Sequence, residues 1–340
     1  MYKPPFNITT LMLSLCISIT EKISKIKAFE SLKRMPVLRK NNKIKSIHSS
    51  LLIEANSLSL NQVRDVINGK NVIGPQKEIQ EVKNAFKAYS MIPLFKYSNE
   101  DDLLKAHRTL TYLIDEEAGK YRNHGEGVFD GNKLIFVAPS EKMVPSLMKD
   151  LFKWLKHDKE THMLIKSCVF HYEFVFIHPF GDGNGRTARL WQNVLLTSWN
   201  PIFEFIPIES QIQKYQPKYY KTISACHKIG NSNMFIEFML KMIDETLDSI
   251  LENVKKESKN ISDQVNKLLL VMEPDIPYSG NDLLDLLNIK SKETLRNSYL
   301  NPAIENGLIR MTLPDKPNSK NQKYIKNNFL RCLKHLFNYY

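Results

Sequence analysis

The groups in this chain best placed for chemistry lie between His178 and Arg189, in the order His178, Pro179, Phe180, Gly181, Asp182, Gly183, Asn184, Gly185, Arg186, Thr187, Ala188, Arg189. One short stretch thus holds an imidazole, a carboxylate, an amide, two guanidiniums and three glycines. Each glycine costs conformational entropy on folding, so three of them at alternate positions mark a backbone that something must approach closely. Pro179 disfavours helical geometry at His178, which ends a preceding helix and leaves the imidazole at the lip of a loop. Gly181, Gly183 and Gly185 let successive N–H groups converge, and a helix starting near Arg186 adds its own free N–H groups and dipole. Both favour negative charge.

Arg186 and Arg189 are three residues apart and share a helix face, where guanidiniums grip phosphate oxygens in pairs. Together they describe a polyphosphate cradle. Asp182 adds a hard oxygen ligand beside it, sufficient for a Mg²⁺ ion that also takes phosphate oxygens and water. His178 supplies a base that is mostly neutral near pH 7, and Asn184 is a candidate donor to a phosphate oxygen. The chemistry implied is in-line transfer of a phosphoryl or nucleotidyl group to a hydroxyl. A dinucleotide-binding reading fails because Gly181 and Gly183 follow a helix where that fingerprint needs a strand. Helix cap, turn and surface ion pairs would account for each polar group alone, but not for all five at this spacing.

The elements that must position this loop read as mainly α. Residues 161–177 form a dense apolar helix leading into the motif, central and buried, with His171 and Tyr172 as core side chains. Residues 186–199 form the helix leaving it. Helical spacing also marks 60–89 with a break at Ile73-Gly74-Pro75, 102–118, 144–155, 215–227 and 234–253. The exception is 125–139, where Asp130-Gly131-Asn132 separates two short apolar runs and predicts a β-hairpin flap. Residues 46–56 read as a short helix carrying one carboxylate, Glu54. The basic segment before it, with Lys33, Arg34, Arg39, Lys40, Lys43 and Lys45 around a proline, reads as a solvated connection.

The 340 residues exceed one ordinary domain, so two or three units are expected. Three are drawn: an N-terminal helical region over 1–95, a core over 96–250, and a C-terminal domain over 251–340. In the last, residues 281–287 and 291–306 read as helices, Gly307 as a stop, and 308–313 and 322–326 as strands around Pro314–Ser319. That is a winged-helix pattern, and Lys292, Arg296 and Asn301 on its second helix make DNA a minor candidate partner. The net charge of +12 does not choose among nucleic acid, acidic protein and nucleotide. Four dispersed cysteines without C-x-x-C spacing fit a reducing cytoplasm. Residues 11–19 lack the basic start and cleavage site of a signal peptide and are too short to span a bilayer. With Ile8, Leu11, Met12, Leu15, Ile19, Ile23 and Ile26 at helical spacing, they read as one amphipathic helix.

The stretch from His178 to Arg189 resembles the Fic (Fido) signature at every defining position. The resemblance implies an all-helical core with a hairpin flap, ATP as substrate, Mg²⁺, and transfer of AMP to a Ser, Thr or Tyr hydroxyl of a target protein with release of pyrophosphate. It makes His178 the general base and Asp182 the metal ligand. Gly183, Asn184 and Gly185 would hold the α-phosphate, Arg186 and Arg189 the β- and γ-phosphates, and Phe180 an anchor beneath. Gly185 stands where the kinase-like branch of the family carries Lys, which favours nucleotidyl transfer.

Lys133, Leu134, Ile135 and Phe136 correspond to the strand that holds a target segment. Tyr219, Tyr220 and His227 match positions near the adenine. Ser50 to Glu54 resembles the family's inhibitory helix, Ser/Thr-x-x-x-Glu followed by Gly or Asn, with Ala55 in that last place. The expectation is an autoinhibited adenylyltransferase in the cytoplasm, whose candidate partners are ATP, a hydroxyl-bearing target protein and a second copy of the chain, with no membrane. The alternatives are a DNA-binding regulator with a nucleotide-sensing core, removal of AMP by the same site, or transfer of another phosphate-containing group.

Overall fold

The chain was studied as a computed structural model that describes residues 2–28, 36–130, 133–260 and 262–327. Two compact units emerge: residues 1–23 with 42–248, and residues 24–41 with 249–340. Of the N-terminal region, residues 1–23 and 42–95 share a unit with the motif, and residues 24–41 fall in the other.

In that first unit, α6 (Val144–His157), α7 (Met163–Ile177) and α8 (Asn184–Trp199) build the core. α7 has no polar face: from Leu164 to Phe174 every residue is buried, so the helix can only lie at the centre. α8 packs along it and buries Trp191, Leu195 and Leu196. Burying side chains of this size is worth about 1.5–3 kcal/mol each. Phe152 contacts both Phe170 of α7 and Trp191 of α8 edge-on, which locks the three helices together.

Around this centre lie α1 (Thr10–Ala28) as far as residue 23, α2 (Pro36–Ile53) from residue 42, α3 (Leu60–Ile67), α4 (Gln76–Ser90) and α5 (Glu100–Leu110). α9 (Ile208–Lys214), α10 (Gln216–Ile229) and α11 (Asn233–Asn260) follow α8. α1 covers the apolar N-terminal stretch and buries Met12, Ile19 and Ile23, but Ile8 and Leu11, expected on the same face, are exposed.

Two sequence readings are corrected here. The basic connection is helical from Pro36 onward, because proline suits the first turn of a helix and Leu38, Ile44, Ile47 and Leu51 give α2 a buried stripe. Residues 46–53 are thus the end of a long helix, not a short one of their own; Lys33 and Arg34 lie outside the described residues. The helix expected over 102–118 stops at Leu110, where Asn84 Nδ2 donates to the carbonyls of Leu110 and Tyr112 and Leu113 turns left-handed (φ 61). The two strands pair as read: β1 (Gly127–Asp130) runs antiparallel to β2 (Lys133–Val137), with a bulge between Val128 and Phe129, while Gly131 and Asn132 of the expected turn lie outside the described residues.

In the second unit, α12 (Asp263–Val271), β3 (Pro277–Ser279), α13 (Gly280–Leu287), α14 (Lys292–Thr294), a π-helical segment (Leu295–Leu300) and α15 (Asn301–Glu305) precede β4 (Ile309–Met311) and β5 (Lys323–Lys326). The strands form an antiparallel sheet in the order β3-β5-β4. Leu268, Leu283, Leu295, Leu300 and Ile309 make its core. α12 and β3 went unread in the sequence, and the polar stretch 252–259 proves to be the last turns of α11.

Candidate active site

The loop between α7 and α8 holds the motif. α7 ends at Ile177, and His178 takes a left-handed conformation (φ 51, ψ 61) as its cap. That turn points the chain away from the helix axis, and His178 Nδ1–H donates to Val175 O at 3.4 Å, which leaves Nε2 as the proton acceptor. Burial holds the imidazole below its ordinary value, so it is neutral at pH 7. Gly183 is left-handed as well (φ 78), and a Cβ there would meet the Thr111 methyl group at 2.9 Å, so only glycine fits. α8 begins at the next residue with no side chain capping its first turn, an end of the kind that favours negative charge.

Phe180 is fully buried and stacks on His107 with ring centroids 3.6 Å apart. His107 Nδ1 accepts the Gly119 N–H, so its Nε2–H donates to Asp182 O at 2.9 Å. Burial pushes this imidazole down to about 4, which fixes the neutral form needed for that pair of bonds. The Asn184 amide braces the loop: its Oδ1 accepts the Phe180 N–H and one N–H of its Nδ2 donates to Phe180 O.

The Asp182 side chain is half exposed. Oδ1 accepts the Gly183 N–H at 2.6 Å and Oδ2 accepts from Arg186 Nη2 at 2.9 Å. Partial burial works against its charge, but Arg186 and that N–H hold the carboxyl below its usual range. Arg186 also donates Nη1 to Glu81 of α4 at 3.1 Å, and its Nε is buried without a partner among the described residues.

Arg189 is buried and bound to the end of α2. Its Nε donates to Ser50 Oγ (3.0 Å) and its Nη2 to Ser50 O (2.9 Å) and Glu54 Oε1 (2.7 Å). Burial alone would weaken the charged form; Glu54, together with Tyr219 and Tyr89, more than offsets it and keeps Arg189 raised. Glu54 also crowds Gly185, where any side chain would run into its carboxylate. α2 ends in a Schellman-type turn, with Asn56 N–H on Leu51 O and Ala55 N–H on Leu52 O, and Ala55 sits left-handed at φ 63. The Asn56 amide then donates to Glu81 Oε2 at 2.7 Å. Glu81 thereby joins the segment after Glu54 to Arg186.

Of the three residues expected near an adenine, Tyr219 is buried, with its hydroxyl 2.9 Å from His171 Nε2. It is packed in the core, its hydroxyl engaged with His171. Tyr220 is half exposed and donates to Ile53 O at 3.3 Å, beside Gln216 Nε2 on the same carbonyl at 3.1 Å. His227 lies 4.1 Å from the Phe136 ring, centroid to centroid, and burial pushes it down to about 4. Phe136 thus folds the second hairpin strand over α10. Of Lys133, Leu134 and Ile135 the structure describes the backbone, paired on one side with β1.

Comparison with known proteins bears on this site. Residues 97–196 match the Fic/DOC family, and residues 263–325 match the C-terminal domain of filamentation induced by cAMP protein Fic-like. A solved Fic family protein from Desulfovibrio desulfuricans G20 is 39% identical, over 96% of this chain and 99% of that one, with a TM-score of 0.73. The chain belongs to the Fic family. Among curated relatives, protein adenylyltransferase fic-1 of Caenorhabditis elegans is 28% identical over 244 residues, which is 68% of this chain and 45% of that protein. Protein adenylyltransferase Fic of Nematostella vectensis is 30% identical over 219 residues, 60% of this chain and 48% of that protein. The chain spans about half the length of the curated relatives it matches.

Within this Fic fold, His107, Arg122, Glu81 and Gln216 touch the site and were not read from the sequence. Glu81 and Gln216 lie within helical spans of the sequence, and nothing in their spacing sets them apart. His107 and Arg122 act mainly on backbone groups, which leave no sequence pattern.

Proposed function

We propose that this chain is an autoinhibited protein adenylyltransferase. A target hydroxyl attacks the α-phosphorus of ATP, the bond from that phosphorus to the bridging oxygen of pyrophosphate breaks, and the hydroxyl proton passes to His178 Nε2. The observation that carries this reading is one loop holding a neutral imidazole, a carboxylate and an uncapped helix end beside two buried arginines. Arg186 Nε and Arg189 Nη1 make no hydrogen bond among the described residues, donors left over for phosphate oxygens. The resemblance gives the two arginines to the β- and γ-phosphates and Gly183, Asn184 and Gly185 to the α-phosphate.

Asp182 fits a Mg²⁺ ion. It is ionised, half exposed and at the lip of the cradle, and one carboxylate suffices where phosphate and water complete the shell. The ion would offset charge on the phosphates. Among the described residues no group of three acidic, His or Cys side chains forms a denser metal site.

The outer edge of β2 is the proposed docking line for the target, and α10 with His227 and Tyr220 the proposed adenine side. Glu54 is the proposed inhibitor, since a γ-phosphate must compete with it for Arg189. The second unit, with its helices and three-stranded sheet, is proposed to be a winged helix. Arg296 there is tied to Asn318, which does not favour a free DNA-reading face. Among the described residues no helix is long and apolar enough to cross a membrane. The cysteine spacing supports a cytoplasmic location.

The test uses ATP labelled on either the α- or the γ-phosphate, with Mg²⁺ and the Glu54→Gly chain. Label from the α-phosphate should become protein-bound and label from the γ-phosphate should not. Transfer of γ-label would replace adenylylation by phosphorylation, and transfer of neither would remove the reading.

A further inference from the structure

Arg122 lies in the segment between α5 and β1, is 2% exposed, and touches none of the groups assigned above to nucleotide or metal. Its guanidinium is nevertheless aimed at the motif. Nε donates to His178 O at 2.7 Å, and Nη2 reaches Ile177 O at 3.4 Å, the last carbonyl of α7. Nη1 donates to His124 O at 2.8 Å and Nη2 to Pro139 O at 2.5 Å, the two residues that flank the hairpin. The Arg122 backbone N–H completes the set by donating to Pro179 O at 2.9 Å.

Three segments therefore converge on one side chain: the exit of α7, the chain entering β1 and the chain leaving β2. The carbonyls at a helix C-terminus lack intrahelical partners and carry the negative end of the dipole, so a cation there satisfies both needs. A planar fork with five donors reaches carbonyls on three segments at once. A lysine ammonium, one point with three donors, does not. The left-handed turn at His178 is strained in a non-glycine residue and needs surroundings that over-determine it. Arg122 supplies them on the carbonyl side.

We propose that Arg122 is a positioning residue for AMP transfer, fixing the His178 backbone and both roots of the hairpin in one hydrogen-bond set so that base and target strand are presented in register. This rests on the adenylyltransferase reading above. Misplacing a reacting group by an ångström costs on the order of 100-fold in rate, whereas ATP is held by the far end of the loop. The predicted signature is a loss confined to kcat.

The experiment compares Arg122→Lys and Arg122→Gln, each in the full-length Glu54→Gly chain, by pyrophosphate release from ATP with Mg²⁺ and by hydrogen exchange. Both variants should lower kcat by about 10- to 100-fold with the KM for ATP within about twofold of the parent. Exchange should rise at residues 178–182 and 136–140 and stay unchanged within α7 and α8.

The pH profile separates geometry from charge. His178 faces Arg122 and Glu126 beside the hairpin, His227 of α10, and Glu54, which is absent in this background. Arg122 opposes protonation of that imidazole, so Arg122→Gln should move the acidic limb to higher pH and Arg122→Lys should leave it in place. An Arg122→Lys variant with the parent's kcat overturns the proposal. So does a loss shared equally by kcat and ATP binding, or increased exchange throughout the unit, since either marks a purely structural role. If Arg122→Gln does not fold, Arg122→Lys decides. If the Glu54→Gly parent itself releases no pyrophosphate, the adenylyltransferase reading fails, while hydrogen exchange still tests the anchoring.

Discussion

The two ends of the loop between α7 and α8 are held by different means. At the His178 end the anchors grip backbone: Arg122 takes the carbonyls of Ile177 and His178, and the His178 N–H stays on Phe174 O. The imidazole Nε2 is left unengaged by those bonds. At the Arg189 end the anchors grip the functional side chains themselves, with Ser50 and Glu54 on Arg189 and with Glu81 and Asp182 on Arg186. One end leaves a ring nitrogen free, and the other has its charges already paired. On the proposed reading, regulation belongs to the Arg189 end, and a change there should alter ATP binding without rebuilding the base.

The sharpest way to break that division is to remove each end separately. In the Glu54→Gly background, His178→Ala should lower AMP transfer by about 10²- to 10⁴-fold, the range for a lost general base, with ATP affinity by calorimetry unchanged. A matching fall in affinity would mean that the two ends are not separate.

The next effect is on stability. Glu54→Gln leaves the buried Arg189 charge without its carboxylate, and breaking a buried pair costs about 3–5 kcal/mol. The Glu54 side chain is 35% exposed, so water screens part of this and about 1–3 kcal/mol is expected in a denaturant melt. Saturating ATP should restore most of it. No recovery with ATP would argue that phosphate does not take over Arg189.

A third measurement concerns pH. Burial lowers the His178 value from its ordinary 6.5, so the imidazole stays unprotonated to lower pH than a free histidine would. As pH falls, protonation removes the acceptor and the rate drops, so the acidic limb of the Glu54→Gly profile should have its midpoint below 6.5. A midpoint above it would contradict the burial argument.

The smallest effect lies at the end of α2. Ala55 is left-handed, so Ala55→Gly should relieve about 1 kcal/mol of backbone strain in the folded chain, visible as a higher denaturation midpoint. Because this firms the turn that presents Glu54, activity of the otherwise wild-type chain should fall slightly.

The motif, the hairpin and the apolar helices were legible because each rests on local chemistry: glycine and proline geometry at 178–185, the Asp-Gly turn, and the density of apolar residues on α7. Glu54 was legible through its resemblance to an inhibitory helix, although Ala55 departs from the pattern and adopts the backbone conformation glycine would favour. What escaped is non-local. Lys40, Lys43 and Lys45 mask the buried stripe of α2, and Pro36 starts a helix in a segment whose charge reads as a connection. α5 stops because Asn84, distant in sequence, takes its last carbonyls, and nothing within 102–118 says so. The bonds of Tyr219 with His171 and of Asn184 with Phe180 were visible only in the fold.

The claim that the phosphate end is closed from within is tested most directly by comparing AMP transfer in wild type and Glu54→Gly, side by side, at saturating Mg²⁺ and a range of α-labelled ATP concentrations. The account predicts weak labelling in wild type and at least about tenfold more in the variant, a change equivalent to about 1.4 kcal/mol, that His178→Ala abolishes. Equal labelling of the two chains at every ATP concentration would contradict it.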